Sequence, residues 1–194
     1  MKIHDISQEI FSCDVYPGDP VPQRQMLSST VARDLYNLTA FSMCAHNGTH
    51  VDAPFHFLPE GKTIDRMDLA IFVGDCFVAR HEGAVTAEDA RAILERACGA
   101  ARILIAGAAV VTMEAAEVFA GCGILLLGNE SQSVGPEDAP MAVHKILLGR
   151  GVALLEGVVL KNIPEGFYFL SAAPLNLSGA DGAPCRAYLI ETQE

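Results

Sequence analysis

The sequence predicts a mixed, β-rich α/β domain, and three observations carry that reading. Strand-like segments come first and last, helical patterns are confined to three short stretches in the middle, and helices do not alternate regularly with strands as a doubly wound sheet requires. At 194 residues with 51% hydrophobic side chains, the chain is long enough to bury a sizeable core. Pro and Gly punctuate it rather than gather into a linker, so residues 1–194 are read as a single domain.

The elements follow in order. Ile3 to Ile10 alternates loosely and suits an edge strand, and Tyr16-Pro17-Gly18-Asp19-Pro20 then gives a strong turn signal. Phe41 to Ala45 is short and apolar, while Ile71 to Ala79 and Ile103 to Ala106 read as buried strands. Thr86 opens a helix of about three turns, with acids in its first turn and Gly99 near its end. Thr112 caps a second helix that Gly121 ends, and Ile124 to Leu127 follows as a strand. A third helix runs from Pro140 through Leu148 and stops at Gly149. Val152 to Leu155, Phe167 to Leu170 and Arg186 to Ile190 are β-like again, split by Pro164, Pro174 and an Ala180-Asp-Gly-Ala-Pro184 loop.

Composition narrows the partners. With 24 acidic against 13 basic residues and a net charge of -11, the chain repels phosphate backbones, and no Lys/Arg cluster offers an exception. Nucleic acid is not an expected partner; a small-molecule substrate is. No apolar run approaches the ~18 to 20 residues that cross a bilayer, and Met1-Lys-Ile-His-Asp-Ile-Ser lacks the apolar core of an export signal, so no membrane association and a cytoplasmic location are expected. Six cysteines without a CxxC pair read as free thiols, Cys44 beside the motif below included.

The chemistry concentrates in His46-Asn-Gly-Thr-His50-Val-Asp52-Ala-Pro-Phe-His56. Gly48, the β-branched Thr49 and Val51, and Pro54 disfavour a helix here. An extended or gently bent segment would put the even-numbered positions 46, 50, 52 and 56 on one face, converging four candidate ligands. Imidazole and carboxylate together suit zinc and its first-row neighbours, and His46, His50 and Asp52 alone have the composition of a hydrolytic zinc centre with an open position. Two more candidates lie downstream. His144 sits in the third predicted helix and Glu156 ends the strand after it, where a carboxylate closing a buried apolar run needs a partner. Gly149 and Gly151 turn the chain between them, so both can face one pocket.

Asp5-Ile-Ser, Tyr16-Pro-Gly-Asp19, His46 through Phe57, Ser133-Val-Gly-Pro136, His144, Leu155-Glu-Gly157, Pro174-Leu-Asn and Arg186-Ala together resemble the cyclase-type metal hydrolases, a family that includes bacterial kynurenine formamidase and isatin hydrolase. The resemblance spans nearly the whole chain. It implies a β-barrel-like mixed sheet flanked by a few helices, a homodimer or homotetramer, and two divalent metal ions per chain, zinc with manganese as the alternative. In it, His46, His50 and Asp52 hold one ion, Asp52 bridges to a second held by His144, and Glu156 touches both. His56 matches the catalytic proton carrier; its other reading, a third ligand to the first ion, stays open.

The implied activity is hydrolysis of a small amide by metal-activated water, the substrate an aryl formamide such as N-formylkynurenine. A cyclic amide, lactam or other small acyl compound is the alternative within that class, and a non-catalytic metal- or small-ligand-binding protein is the alternative outside it. Five ligand-type residues together with His56 speak against lost chemistry. Tyr16 is the expected substrate contact; it stands where formamidases usually carry tryptophan, which reduces the stacking surface. After Ala106 the chain runs through Gly107-Ala-Ala-Val directly to the Thr112 helix, where relatives usually have a longer aromatic loop, and Asn129-Glu130 replaces their usual Thr-Asp pair.

Overall fold

The computed structural model describes residues 1–191, and in it the apolar runs become strands of one curled sheet. In chain order the elements are β1 (Lys2–Asp5), β2 (Gln23–Ser28), β3 (Leu38–Ser42), β4 (His50–Asp52), β5 (Val73–Arg80), β6 (Gly83–Val85), α1 (Ala87–Arg96), β7 (Arg102–Ala106), β8 (Ala109–Val111), α2 (Met113–Gly121), β9 (Leu126–Asn129), α3 (Met141–Gly149), β10 (Ala153–Glu156), β11 (Gly166–Ser171), β12 (Gly182–Pro184) and β13 (Tyr188–Glu191). Nine strands form a half-barrel sheet in the order β1-β13-β11-β5-β7-β9-β10-β4-β12, in keeping with the mixed, barrel-like fold expected. The run β5-β7-β9-β10 is parallel and the pairs flanking it are antiparallel. Strands in a parallel centre are covered on both faces, which is why Ile103 to Ala106 is buried throughout and reads as a continuous apolar run.

Alternation along each strand divides the apolar residues between two cores. Val51, Leu104, Leu126 and Leu155 point into one, with Ile6, Phe72 and Leu189. Ile103, Ile105, Leu127 and Leu154 point into the other, against Ile93 of α1, Phe119 of α2 and Leu147 of α3. The helices begin where the capping residues say they should. Thr86 and Asp89 form a reciprocal capping box, Thr112 accepts the Ala115 N–H, and Pro140 precedes α3.

Three segments differ from the sequence reading. The edge strand ends at Asp5, whose carboxylate takes the Ser7 N–H, and the chain coils into a 3-10 turn at Ile10–Ser12. Residues 182–184, read as loop, are the edge strand β12, where Pro184 is tolerated because an edge strand needs no full ladder of N–H donors. Finally, β2 and β3 form a separate hairpin that the sequence does not announce, since its residues are mostly exposed and show no inside–outside alternation.

Candidate metal centre

The register of β4 and β10 builds the floor of the site. Val51 and Leu155 face one core, so their neighbours face the opposite side, where the helices pack. His50 is directly opposite Glu156 and Asp52 opposite Leu154. α3 crosses this face and lowers His144 onto it: His144 Nε2 lies 3.2 Å from Glu156 Oε1 and 3.5 Å from Asp52 Oδ2. His50 Nε2 lies 3.3 Å from Asp52 Oδ1 and 3.4 Å from Glu156 Oε2. Backbone carbonyls set both rings. Nδ1–H of His50 donates to Gly48 O (2.9 Å) and Nδ1–H of His144 to Pro140 O (2.8 Å), which turns each Nε2 toward the carboxylates. Glu156 Oε1 also accepts the Val134 N–H at 2.7 Å.

The rest of the motif reaches the floor without being a strand. Only residues 50–52 are extended, so strand parity accounts for His50 and Asp52 alone. His46 arrives from a turn in which Gly48 takes φ 63°, left-handed backbone that favours glycine. His56 arrives from a 3-10 turn, Pro54–His56. His46 Nδ1 lies 2.8 Å from Asp52 Oδ1, while its Nε2 is 2.9 Å from Asp181 Oδ2, the same oxygen that lies 3.1 Å from His56 Nδ1. Side-chain exposure climbs from 1% at His50 and Asp52 through 27% at His56 to 42% at Asp181, so the ring runs from a sealed floor to a wet rim.

Two groups have ligand atoms all within 4.8 Å of one another: His46, Asp52 and His56, and His50, Asp52 and Glu156. They share Asp52, the residue expected to bridge. A divalent cation fits this donor set. Asp52 Oδ2 is buried without a hydrogen-bond partner, and an unmet carboxylate oxygen among imidazoles is what a borderline-soft ion takes. The electrostatics agree. Burial would push the three imidazoles down, but Asp181 and Asp52 raise His46 to about 9, and Asp52 and Glu156 raise His50 and His144 each to about 10. Burial would raise Asp52, yet the imidazoles of His144, His46 and His50 around it hold it well below the usual carboxylate range. Burial and the charge of Asp52 oppose the ionised form of Glu156, and contacts with His144 and His50 prevail to lower it. The pocket thus binds protons where a metal ion can supply the positive charge.

Above this floor lies a cavity of about 370 Å³, walled also by Tyr16, Asp19, Cys44, Phe57, Ser133 and Pro140. Tyr16 donates its hydroxyl to Glu137 O at 2.6 Å. Asn129 and Glu130 serve the scaffold: Asn129 Nδ2 donates to Ser133 O, and the Glu130 carboxylate accepts from Gly107 and Leu160, which braces the short connection after β7. All six cysteines are free, Cys44 lying 3.6 Å from Asp19. The sequence reading missed Asp181. Its only signal is that the three residues after it pair with β4, a contact no local pattern reveals.

Comparison with known proteins follows the same lines. The chain is 33% identical over 204 residues to the kynurenine formamidase of Paracidovorax citrulli, covering 95% of this chain and 94% of that one. It is equally 33% identical to the kynurenine formamidase of Bacillus thuringiensis, with 95% of each chain covered. A solved structure described as a potential metal-dependent hydrolase with cyclase activity superposes with a TM-score of 0.86 at 28% identity, over 100% of this chain and 99% of that one. Isatin hydrolase A from Labrenzia aggregata shares the fold, with a TM-score of 0.84 at 21% identity over 99% and 94% of the two chains. The profile of the Cyclase family matches residues 4–136, more than half of the sequence, so this chain belongs to the Cyclase family.

Proposed function

We propose that this chain is a metal-dependent hydrolase of a small amide, with an aryl formamide such as N-formylkynurenine as its substrate. The observation that carries this reading is Asp52, buried within 3.5 Å of His46, His50 and His144 and with one oxygen unpartnered, at the floor of a cavity whose rim holds His56. His46, His50, Asp52, His144 and Glu156 would hold two ions, zinc or manganese. Bound there, divalent ions lower the pKa of a coordinated water toward about 7 and polarise the amide carbonyl.

The protein's own groups do the rest. Gly48 O and Pro140 O fix the tautomers of His50 and His144, so that Nε2 is the ligating atom of each. The Val134 N–H holds Glu156 in place. His56 takes a proton from the attacking water and returns it to the departing nitrogen, as an imidazole can at neutral pH. Tyr16, tethered by its hydroxyl, and Phe57 wall a cavity whose size suits a small aryl substrate. A cyclic amide or lactam is the second substrate class within the same chemistry.

The exposed hairpin supports self-association into a homodimer or homotetramer: Val31 and Leu35 are 94% and 96% exposed, with Met26, Tyr36 and Phe41 also bare. No helix among the described residues is long and apolar enough to cross a membrane, and a cytoplasmic location completes the reading. The test is formate release from N-formylkynurenine by protein loaded with zinc or manganese, with a chelator control and a lactam in parallel. Turnover that chelation abolishes supports the proposal; a metal-loaded chain inert toward both substrates overturns it.

A further inference from the structure

We propose that Asp181 is the positioning residue of the proton carrier, one carboxylate oxygen fixing the His56 ring and coupling it to His46. The inference rests on the role given to His56 above. Asp181 Oδ2 lies 3.1 Å from His56 Nδ1 and 2.9 Å from His46 Nε2. An ionised carboxylate only accepts, so the His56 nitrogen facing it carries the hydrogen. Nε2 of His56 is then left with the lone pair that must take a proton from water.

Packing makes the hold specific. The His46 and His56 rings lie against each other, with centroids 4.1 Å apart and planes tilted by 32°. Turning one ring disturbs the other. Asp181 is itself anchored by the strand that seats the metal floor: its carbonyl accepts the Ala53 N–H at 2.9 Å, and Gly182, the next residue, pairs with Asp52. An exposed carboxylate beside a single histidine would be an ordinary surface pair of little consequence. Here one oxygen serves two rings, and the backbone that carries it is registered against a candidate metal ligand.

The test is a cycle of Asp181→Ala, His56→Ala and the double variant, read by kinetics, metal content and ring ¹⁵N NMR. Measured at saturating metal, because Asp181 also holds His46, Asp181→Ala is expected to lower kcat by about 10- to 100-fold with KM within about twofold. In the His56→Ala background it should cost nothing further, because Asp181 acts through that ring. Asp181→Asn, which keeps an acceptor oxygen, should recover part of the loss. The NMR readout needs no turnover. His56 should be the Nδ1–H tautomer in the parent protein and shift toward Nε2–H in Asp181→Ala. A further rate loss in the His56→Ala background at saturating metal, or an unchanged tautomer, would each overturn the proposal. A parent protein without hydrolytic activity would sink the functional reading instead, and the tautomer would still report whether Asp181 holds His56.

Discussion

Gly182→Ala probes how tightly the edge strand is fitted to the metal floor. A Cβ at this position would stand 2.7 Å from Val51 O and 2.7 Å from His46 Cε1, well inside van der Waals contact. Val51 O belongs to the backbone of β4, and Gly182 is registered against Asp52, so the strand cannot give way without moving a candidate ligand. Relief must come from lifting β12 off β4 or from turning His46. The first is an overpacking strain of about 1–3 kcal/mol. The second pulls His46 from between Asp52 and Asp181, and a misplaced imidazole weakens metal binding by about 10- to 100-fold. Urea melts in excess chelator read the strain, and competitive titration with a chromophoric chelator reads the affinity. Gly149→Ala, at the end of α3 with no atom within 4 Å of the added methyl, is the control: it should leave metal affinity unchanged and raise the urea midpoint slightly, as Gly→Ala in a helix does. A Gly182→Ala protein with the parent urea midpoint and the parent metal affinity would show that β12 is not fitted this closely to the metal floor.

Three further outcomes are expected. His56→Ala should keep its metal while turnover falls by roughly 100-fold or more; loss of metal would instead make His56 a ligand. In metal-free protein, His46, His50 and His144 have raised pKa values, so their stabilising contribution is complete below the ordinary value of about 6.5 and disappears as pH rises through about 9 to 10. Asp52, held low, contributes above its ordinary range and loses that contribution in acid. The gap in urea midpoint between metal-loaded and metal-free protein should therefore widen from pH 6.5 to pH 10, and a constant gap would count against the site. Phe119→Ala, which empties a fully buried position of α2, should cost about 3–5 kcal/mol in a urea melt without altering metal stoichiometry.

Local chemistry was legible in the sequence, and contacts between distant segments were not. The caps at Thr86 and Thr112 placed two helices because a cap is a local hydrogen bond. His50 and Asp52 could be paired by parity because they sit on one strand, and Glu156 stood out because it closes an apolar run. His46 and His56 share that parity but not the strand: they enter from a turn and a 3-10 segment. Asp181 was invisible because its partner His56 lies 125 residues away, and the pairing of β12 with β4 and the Ala53 N–H on its carbonyl unite them. The β2–β3 hairpin escaped notice for the opposite reason: with both faces exposed, it has no pattern to read.

The most direct test of the account is metal content and hydrolysis measured on one preparation. Protein purified with zinc or manganese should carry about two divalent ions per chain and release formate from an aryl formamide. Chelation should abolish turnover, and returning either ion should restore it. A chain that carries its ions yet turns over neither formamide nor lactam would contradict the account.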